Sequence, residues 1–252
     1  MRIFPLRSIV AFALVWALIG ARPVLAEQDE AGFRPLFDGK TLEGWDGDPA
    51  LWQASDGVIR SVTTDDAPLE YNQFLIWDGE VGDFVLRLEF RVADRGVGNS
   101  GVQYRSKRMP DAGNWVVGGY QADIERTNKH MGILYEERGR GILANRGEKV
   151  ELTAGPKGVK KQVVGKVGDP AEIVDGVRAG EWQTLEVSAV GNELVHKLNG
   201  RTTVRVVDND AAHAAQRGIV ALQVHKGPAM QIEFRNIRLK DIARNDGAVS
   251  NE

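Results

Sequence analysis

Short runs in which apolar and polar residues alternate at every second position dominate this sequence. Phe84, Leu86, Leu88 and Phe90 fall in step, while Arg87, Glu89 and Arg91 take positions between them. A period of two puts the first set on one face of a strand and the second on the other. Val85 and Val92 weaken the polar side only slightly. Residues 52–59 read as two strands around Asp56-Gly57, a dipeptide that favours the tight hairpin turn. Further strands are expected at 101–105, 119–125, 132–135, 184–190, 193–198, 201–207, 218–225 and 231–239. Gly191-Asn192 and Asn199-Gly200 supply turns on either side of 193–198. The one helical signal is Asp169-Pro170, an N-cap followed by proline at the first helical position. Many evenly spaced short strands predict an all-β sandwich or jelly roll.

Residues 138–181 break the even spacing. The stretch is rich in Gly, Lys and Arg, and is expected as a long excursion with a little local structure of its own. The polar tail at 243–252 is expected to fray. Residues 27–242 fit one domain.

The start of the chain is of a different kind. Arg2 and Arg7 precede an unbroken apolar run from Ile9 to Gly20, and Val24-Leu25-Ala26 supplies a signal-peptidase pattern. The run is shorter than the roughly 18 to 20 apolar residues of a membrane-spanning helix. Residues 1–26 are therefore expected to be a signal peptide, and the mature chain periplasmic or secreted and free of the membrane. Cysteine is absent, which removes disulfides and thiolate metal sites. The remaining chain is long enough to bury a core without such staples. With 32 basic and 35 acidic residues the net charge is −3, and loss of Arg2, Arg7 and Arg22 takes it to −6. That balance argues against a nucleic-acid partner, which needs clustered Lys and Arg.

Three of the expected strands carry polar side chains on one face. Gln103 and Arg105 lie opposite Val102 and Tyr104; Gln121, Asp123 and Glu125 lie opposite Tyr120, Ala122 and Ile124; Gln223 and His225 lie opposite Leu222 and Val224. Amides, acids and an imidazole offer fixed donors and acceptors to hydroxyl groups. Converging in a hollow, they would form a sugar site. The plainer alternative is a wetted outer face. Asp123 and Glu125 would stand roughly 7 Å apart along a strand. A carboxylate pair at that spacing can cleave glycosides, although such an alternation also occurs as solvent-facing charge.

Among the histidines, His225 precedes the turn Lys226-Gly227-Pro228 and is the best candidate for proton transfer. His196 shares a face with Leu194 and Leu198 and is expected in the core, His130 and His213 in exposed loops. No spacing of ligands points to a tight transition-metal site. A divalent cation such as calcium stays open, because its oxygen ligands leave weak traces in sequence. Asn99-Ser100-Gly101 is not set in a nucleophile elbow. Trp45, Trp52, Trp77, Trp115 and Trp182 could stack on sugar rings, but most are expected in the core.

Phe37-Asp-Gly-Lys-Thr-Leu-Glu-Gly-Trp45, the strand FVLRLEF at 84–90, Gly98-Asn-Ser-Gly-Val102 and Gly118-Gly-Tyr-Gln-Ala-Asp-Ile124 occur in order. Gly132-Ile-Leu-Tyr135, His196-Lys-Leu-Asn-Gly200, 218–225 and 233–239 follow. The ordered set, spanning 33–242, resembles the 3-keto-disaccharide hydrolase domain family. It departs at Gln121-Ala-Asp123, where many members read Glu-Val-Gln. The resemblance implies a concanavalin A-like or laminarinase-like jelly roll, exported from bacteria, that cleaves glycosides oxidised to a ketone at C3. On that chemistry His225 or Asp123 would take the C2 proton and Arg105, with or without a divalent cation, would stabilise the enolate. Asn99, Gln103, Gln121, Glu125 and Gln223 would bind the sugar, and Tyr135 would donate to the leaving oxygen. The 138–181 excursion would close one end of the cleft. Two rival readings remain: a carbohydrate-binding module without turnover, and a conventional glycosidase built on Asp123 and Glu125.

Overall fold

The computed structural model describes residues 31–243 apart from 95, 97 and 157. The expected signal peptide, and all but the first residue of the expected tail, lie outside the described residues.

The strands run in chain order as β1 (Arg34–Pro35), β2 (Trp45–Asp46), β3 (Trp52–Ser55), β4 (Val58–Val62), β5 (Gln73–Val81) and β6 (Phe84–Val92). Next come β7 (Asn99–Arg108), β8 (Val117–Glu125), β9 (Leu134–Glu137), β10 (Gly141–Ala144), β11 (Glu148–Gly155) and β12 (Gly158–Lys166). A single helical turn, α1 (Pro170–Ile173), is followed by β13 (Gln183–Val190), β14 (Glu193–Leu198), β15 (Arg201–Asp208), β16 (Gly218–Val224) and β17 (Gln231–Asp241). Asp169 caps the turn by accepting from the Ala171 and Glu172 amides, as its sequence signal predicts.

Two sheets form the jelly-roll sandwich. One has ten strands in the order β12-β11-β15-β14-β13-β6-β17-β4-β3, with β1 beside β17. The other has seven, in the order β10-β9-β8-β7-β16-β5-β2. The alternation read at 84–92 is what packs them. Phe84, Leu86, Leu88 and Phe90 enter the core against Tyr104, Tyr120 and Leu222 of the facing sheet. On the outer side Arg87 pairs with Glu186, Glu89 with Arg235 and Arg91 with Glu233, so charge sits where solvent can screen it. His196 is in the core as expected, its Nε2 2.8 Å from the Tyr104 hydroxyl; burial holds its pKa down to about 3, so the ring stays neutral.

The 138–181 stretch is more ordered than its composition suggests. Apart from residue 157, it carries β10, the hairpin of β11 and β12, and the helical turn. β11 runs parallel to β15 and extends the larger sheet, and β12 is a largely exposed edge strand. Lysines at 160, 161 and 166 along that edge discourage pairing with another chain.

Candidate active site

β7, β8 and β16 are hydrogen-bonded neighbours within the smaller sheet. Pairing places Gln103 opposite both Gln121 and Ala221, and Asp123 opposite Gly101. Because Val102, Tyr104, Tyr120, Ala122, Ile124, Leu222 and Val224 enter the sandwich core, strand geometry sends Gln103, Gln121, Asp123 and Gln223 to the other face. There they meet. Gln121 Oε1 accepts from Gln103 Nε2 at 2.7 Å and from Gln223 Nε2 at 3.1 Å, while Gln121 Nε2 donates to Asp123 Oδ1. Ser106 Oγ closes the far end by donating to Gln103 Oε1 at 2.6 Å.

An ionised Asp123 sets the direction of this chain, since a carboxylate only accepts. Turned over, the Gln103 amide would donate to Ser106 Oγ, but its oxygen would face the Gln121 oxygen. Relieving that takes a reversed Gln121, a reversed Gln223 and a protonated Asp123 together. Gln103, Gln121 and Gln223 are all nearly sealed from solvent, so an unmade bond in the chain would cost roughly 1–3 kcal/mol. Among the described residues the buried Gln223 Oε1 has no hydrogen-bond partner.

A cleft of about 350 Å³ opens above these groups, lined by Gln121, Asp123, Gln223, His225, Asn99 and Tyr135. Five further residues close it: Asn72, His130, Ile133, Glu137 and Lys226, with Ile142 beside Tyr135. Gln103 lies beneath rather than in the wall. Beyond β8 the chain loops and returns along it, through Asp123 N to Ile133 O at 3.3 Å and Gly132 N to Asp123 O at 2.8 Å. That return brings His130 and Ile133 to the rim, so His130 is half-buried at the cleft rather than exposed in a loop. Glu137 reaches the cleft from β9, two residues after Tyr135 and on its face. Asn72 Nδ2 donates to both Glu137 oxygens, and its Oδ1 accepts from the Lys226 amide at 3.0 Å.

Electrostatics sort the titratable groups. Burial pushes the Asp123 carboxyl up to about 7; the Gln121 bond pulls against that, and nearby Glu137 and Glu125 push it further up. Glu137 is raised as well, chiefly by burial. Desolvation lowers His225 below the usual imidazole range. Its Nδ1 lies 2.7 Å from the Lys226 carbonyl, which fixes the ring proton there and leaves Nε2 as an acceptor. Tyr135 is raised by burial and by the acids around it, and keeps its proton.

Two expected site residues lie elsewhere. Arg105 does not share the face of Gln103. Its φ is +45°, and the pairing of β7 with β8 slips between Tyr104 and Lys107. The bulge swings the guanidinium to where the β5–β6 and β13–β14 turns meet. There it pairs with Asp83 at 2.8 Å and donates to the Gly82, Gly191, Ala189 and Ala215 carbonyls. It is a buried structural cation and cannot reach an enolate in the cleft. Glu125 is spent on its own turn, accepting from the Thr127 amide and hydroxyl and from the Lys129 amide. Those bonds hold its pKa down against the effect of burial, and it does not line the cleft, so Asp123 and Glu125 form no catalytic pair. No tryptophan lines the cleft either. Trp45 and Trp52 are buried; Trp77 and Trp115 are only partly covered, and Trp182 lies beneath the Arg91 and Arg235 guanidiniums.

Among the described residues no three of His, Asp and Glu are gathered to hold a metal ion.

A polar cleft floored by amides and a buried carboxylate, on a jelly-roll sandwich, is the equipment of a carbohydrate-active protein. The chain belongs to the family of 3-keto-alpha-glucoside-1,2-lyase-like domains, whose model matches residues 32–240. Among solved structures it is similar to two candidate glycosyl hydrolases from Parabacteroides distasonis. The first is 21% identical with a TM-score of 0.56, over 83% of this chain and 99% of that one. The second is 18% identical with a TM-score of 0.55, over 87% and 99%. The carbohydrate-binding module CBM66 from Bacillus subtilis is 15% identical with a TM-score of 0.50, over 79% and 96%. At these identities the likeness establishes the fold alone. No curated protein matches the chain.

Proposed function

We propose that the protein is an exported enzyme that cleaves glycosides already oxidised to a ketone at C3. The ketone acidifies the proton at C2. Asp123 takes that proton, the resulting enolate expels the aglycone from C1, and Tyr135 protonates the departing oxygen. Water then adds at C1, giving a proton to His225 Nε2, while Asp123 returns its proton to C2. Transfer from His225 to Tyr135 restores both groups. Lys226, at the cleft wall, takes the part first given to Arg105 and offsets the negative charge of the enolate.

One observation carries this reading. Asp123 is a carboxyl buried in a polar cleft with its pKa raised to about 7, which makes it a far stronger base than an ordinary carboxylate while leaving it substantially ionised near neutrality. Family membership supports the substrate, and the apolar run from Ile9 to Gly20 behind Arg2 and Arg7 supports export.

The test is release of aglycone from a 3-keto glucoside and from its unoxidised counterpart. Release from the oxidised compound alone, lost in Asp123→Asn, is the expected result. Cleavage of the unoxidised glycoside would overturn the proposal. Binding of the 3-keto compound without release would make the cleft a carbohydrate-binding site.

A further inference from the structure

A second hollow, of about 410 Å³, adjoins the cleft and shares His130 and Ile133 with it. The two differ sharply in charge. The cleft holds the acids Asp123 and Glu137. Lys129, Arg146 and Lys166 line the second hollow, with Glu148 as its one carboxylate. That carboxylate is occupied by the Asn145 amide and side chain. Arg146 directs its guanidinium to the Pro170, Asn128 and Met131 carbonyls, is partly desolvated, and has no carboxylate partner among the described residues. Among the described residues neither Lys129 nor Lys166 makes an ion pair. Three cations against one carboxylate leave the hollow with a net positive charge that an anionic group would offset.

We propose that this hollow is the subsite for the leaving group, and that the leaving groups it fits carry an anionic substituent, a carboxylate or a sulfate ester. The inference rests on the adjoining cleft being the sugar site. The shared wall of His130 and Ile133 puts the scissile bond at the junction, with the oxidised ring over Asp123 and the acidic aglycone or second sugar toward Lys129 and Lys166. The β11–β12 hairpin, which supplies Glu148, Val163 and Lys166, then has a purpose: it walls the second subsite.

The experiment is calorimetric binding, so that it does not depend on turnover. The Asp123→Asn protein is titrated with cellobiose, with its uronic acid counterpart and with its 6-sulfated counterpart, each in 3-keto and unoxidised form. The acidic sugars are expected to bind about 10-fold more tightly than the neutral one at low salt, since two partly exposed cations contribute modestly. That preference should shrink at high salt and vanish in the Lys129→Ala/Lys166→Ala double variant, whose folding is checked by thermal melting. A preference for only one acid would identify the substituent. Equal affinity for acidic and neutral sugars would overturn the proposal, as would a preference that survives the double variant or a failure of all three to bind. An acid preference in a protein that releases nothing from 3-keto glycosides would uphold the subsite and sink the reaction.

Discussion

Gln121 donates its side-chain amide to Asp123 Oδ1 two residues along the same strand, and so holds against the cleft a carboxyl whose burial raises its pKa to about 7. The relationship fixes the expected pH behaviour. In the proposed reaction Asp123 takes a proton only when ionised, so kcat/KM should rise with pH through about 7 and then level. Asp123→Asn should lower turnover about 10²-fold or more with the fold retained. Stability runs the other way. A carboxyl with its folded pKa raised from 3.8 to about 7 favours folding below 3.8, and that contribution fades as pH climbs through the folded pKa. Asp123→Asn should therefore melt higher than the parent protein at pH 8, and a lower melting point would contradict the assignment.

Removing the donor should move the base. In Gln121→Leu the bond that pulls the Asp123 pKa down is lost, so the midpoint of the pH–rate profile should shift upward. Gly101→Ala should reproduce that shift by a separate route. A Cβ there would stand 2.5 Å from Gln121 Cδ and 2.7 Å from its Nε2, driving the amide off its bond. If the two variants change kcat without moving the midpoint, Gln121 does not tune Asp123.

The fate of individual residues shows what alternation can and cannot reveal. Strands β6 and β14 match the bounds read from sequence; each buries one face completely, β6 wets the other, and β14 covers only Val195 on its outer side. β5 escapes that test: Phe74, Leu75 and Ile76 are all buried, so no period of two marks it. β12 escapes for the opposite reason, being exposed along nearly its whole length. The amides and Asp123 were legible as one face of three strands. Arg105 was not, since a single residue at positive φ reverses the direction that alternation assigns. Glu137 could have been found, because it follows Tyr135 by two on the same strand. Asn72 and Lys226 could not, as only the pairing of β5 with β16 brings them together.

Arg105 leads to a prediction about stability rather than catalysis. Its removal takes a 2.8 Å ion pair from Asp83, a carboxylate whose side chain is 3% exposed. Arg105→Ala should lose roughly 3–5 kcal/mol in denaturant unfolding, while kcat measured well below the melting point stays at the parent value. A drop in kcat in folded protein would return Arg105 to the reaction.

With Arg105 elsewhere, the proposed enolate would need another cation, and the cleft holds Lys226. Its backbone ties the site together: the amide donates to Asn72 Oδ1 and the carbonyl holds His225 Nδ1. Neither bond involves the ammonium group, so Lys226→Met keeps both and removes charge alone. The loss of charge should lower kcat by about 10²-fold, the scale of one stabilising group at a developing oxyanion. It should also raise the pKa of His225, which Lys226 depresses, and that of Glu137, which Lys226 pulls down. NMR titration of the His225 ring reads the first effect independently of turnover. An upward shift at His225 with kcat unchanged would leave the cation near the site but outside the chemistry. A loss of kcat restored by Lys226→Arg would identify positive charge as what the enolate requires.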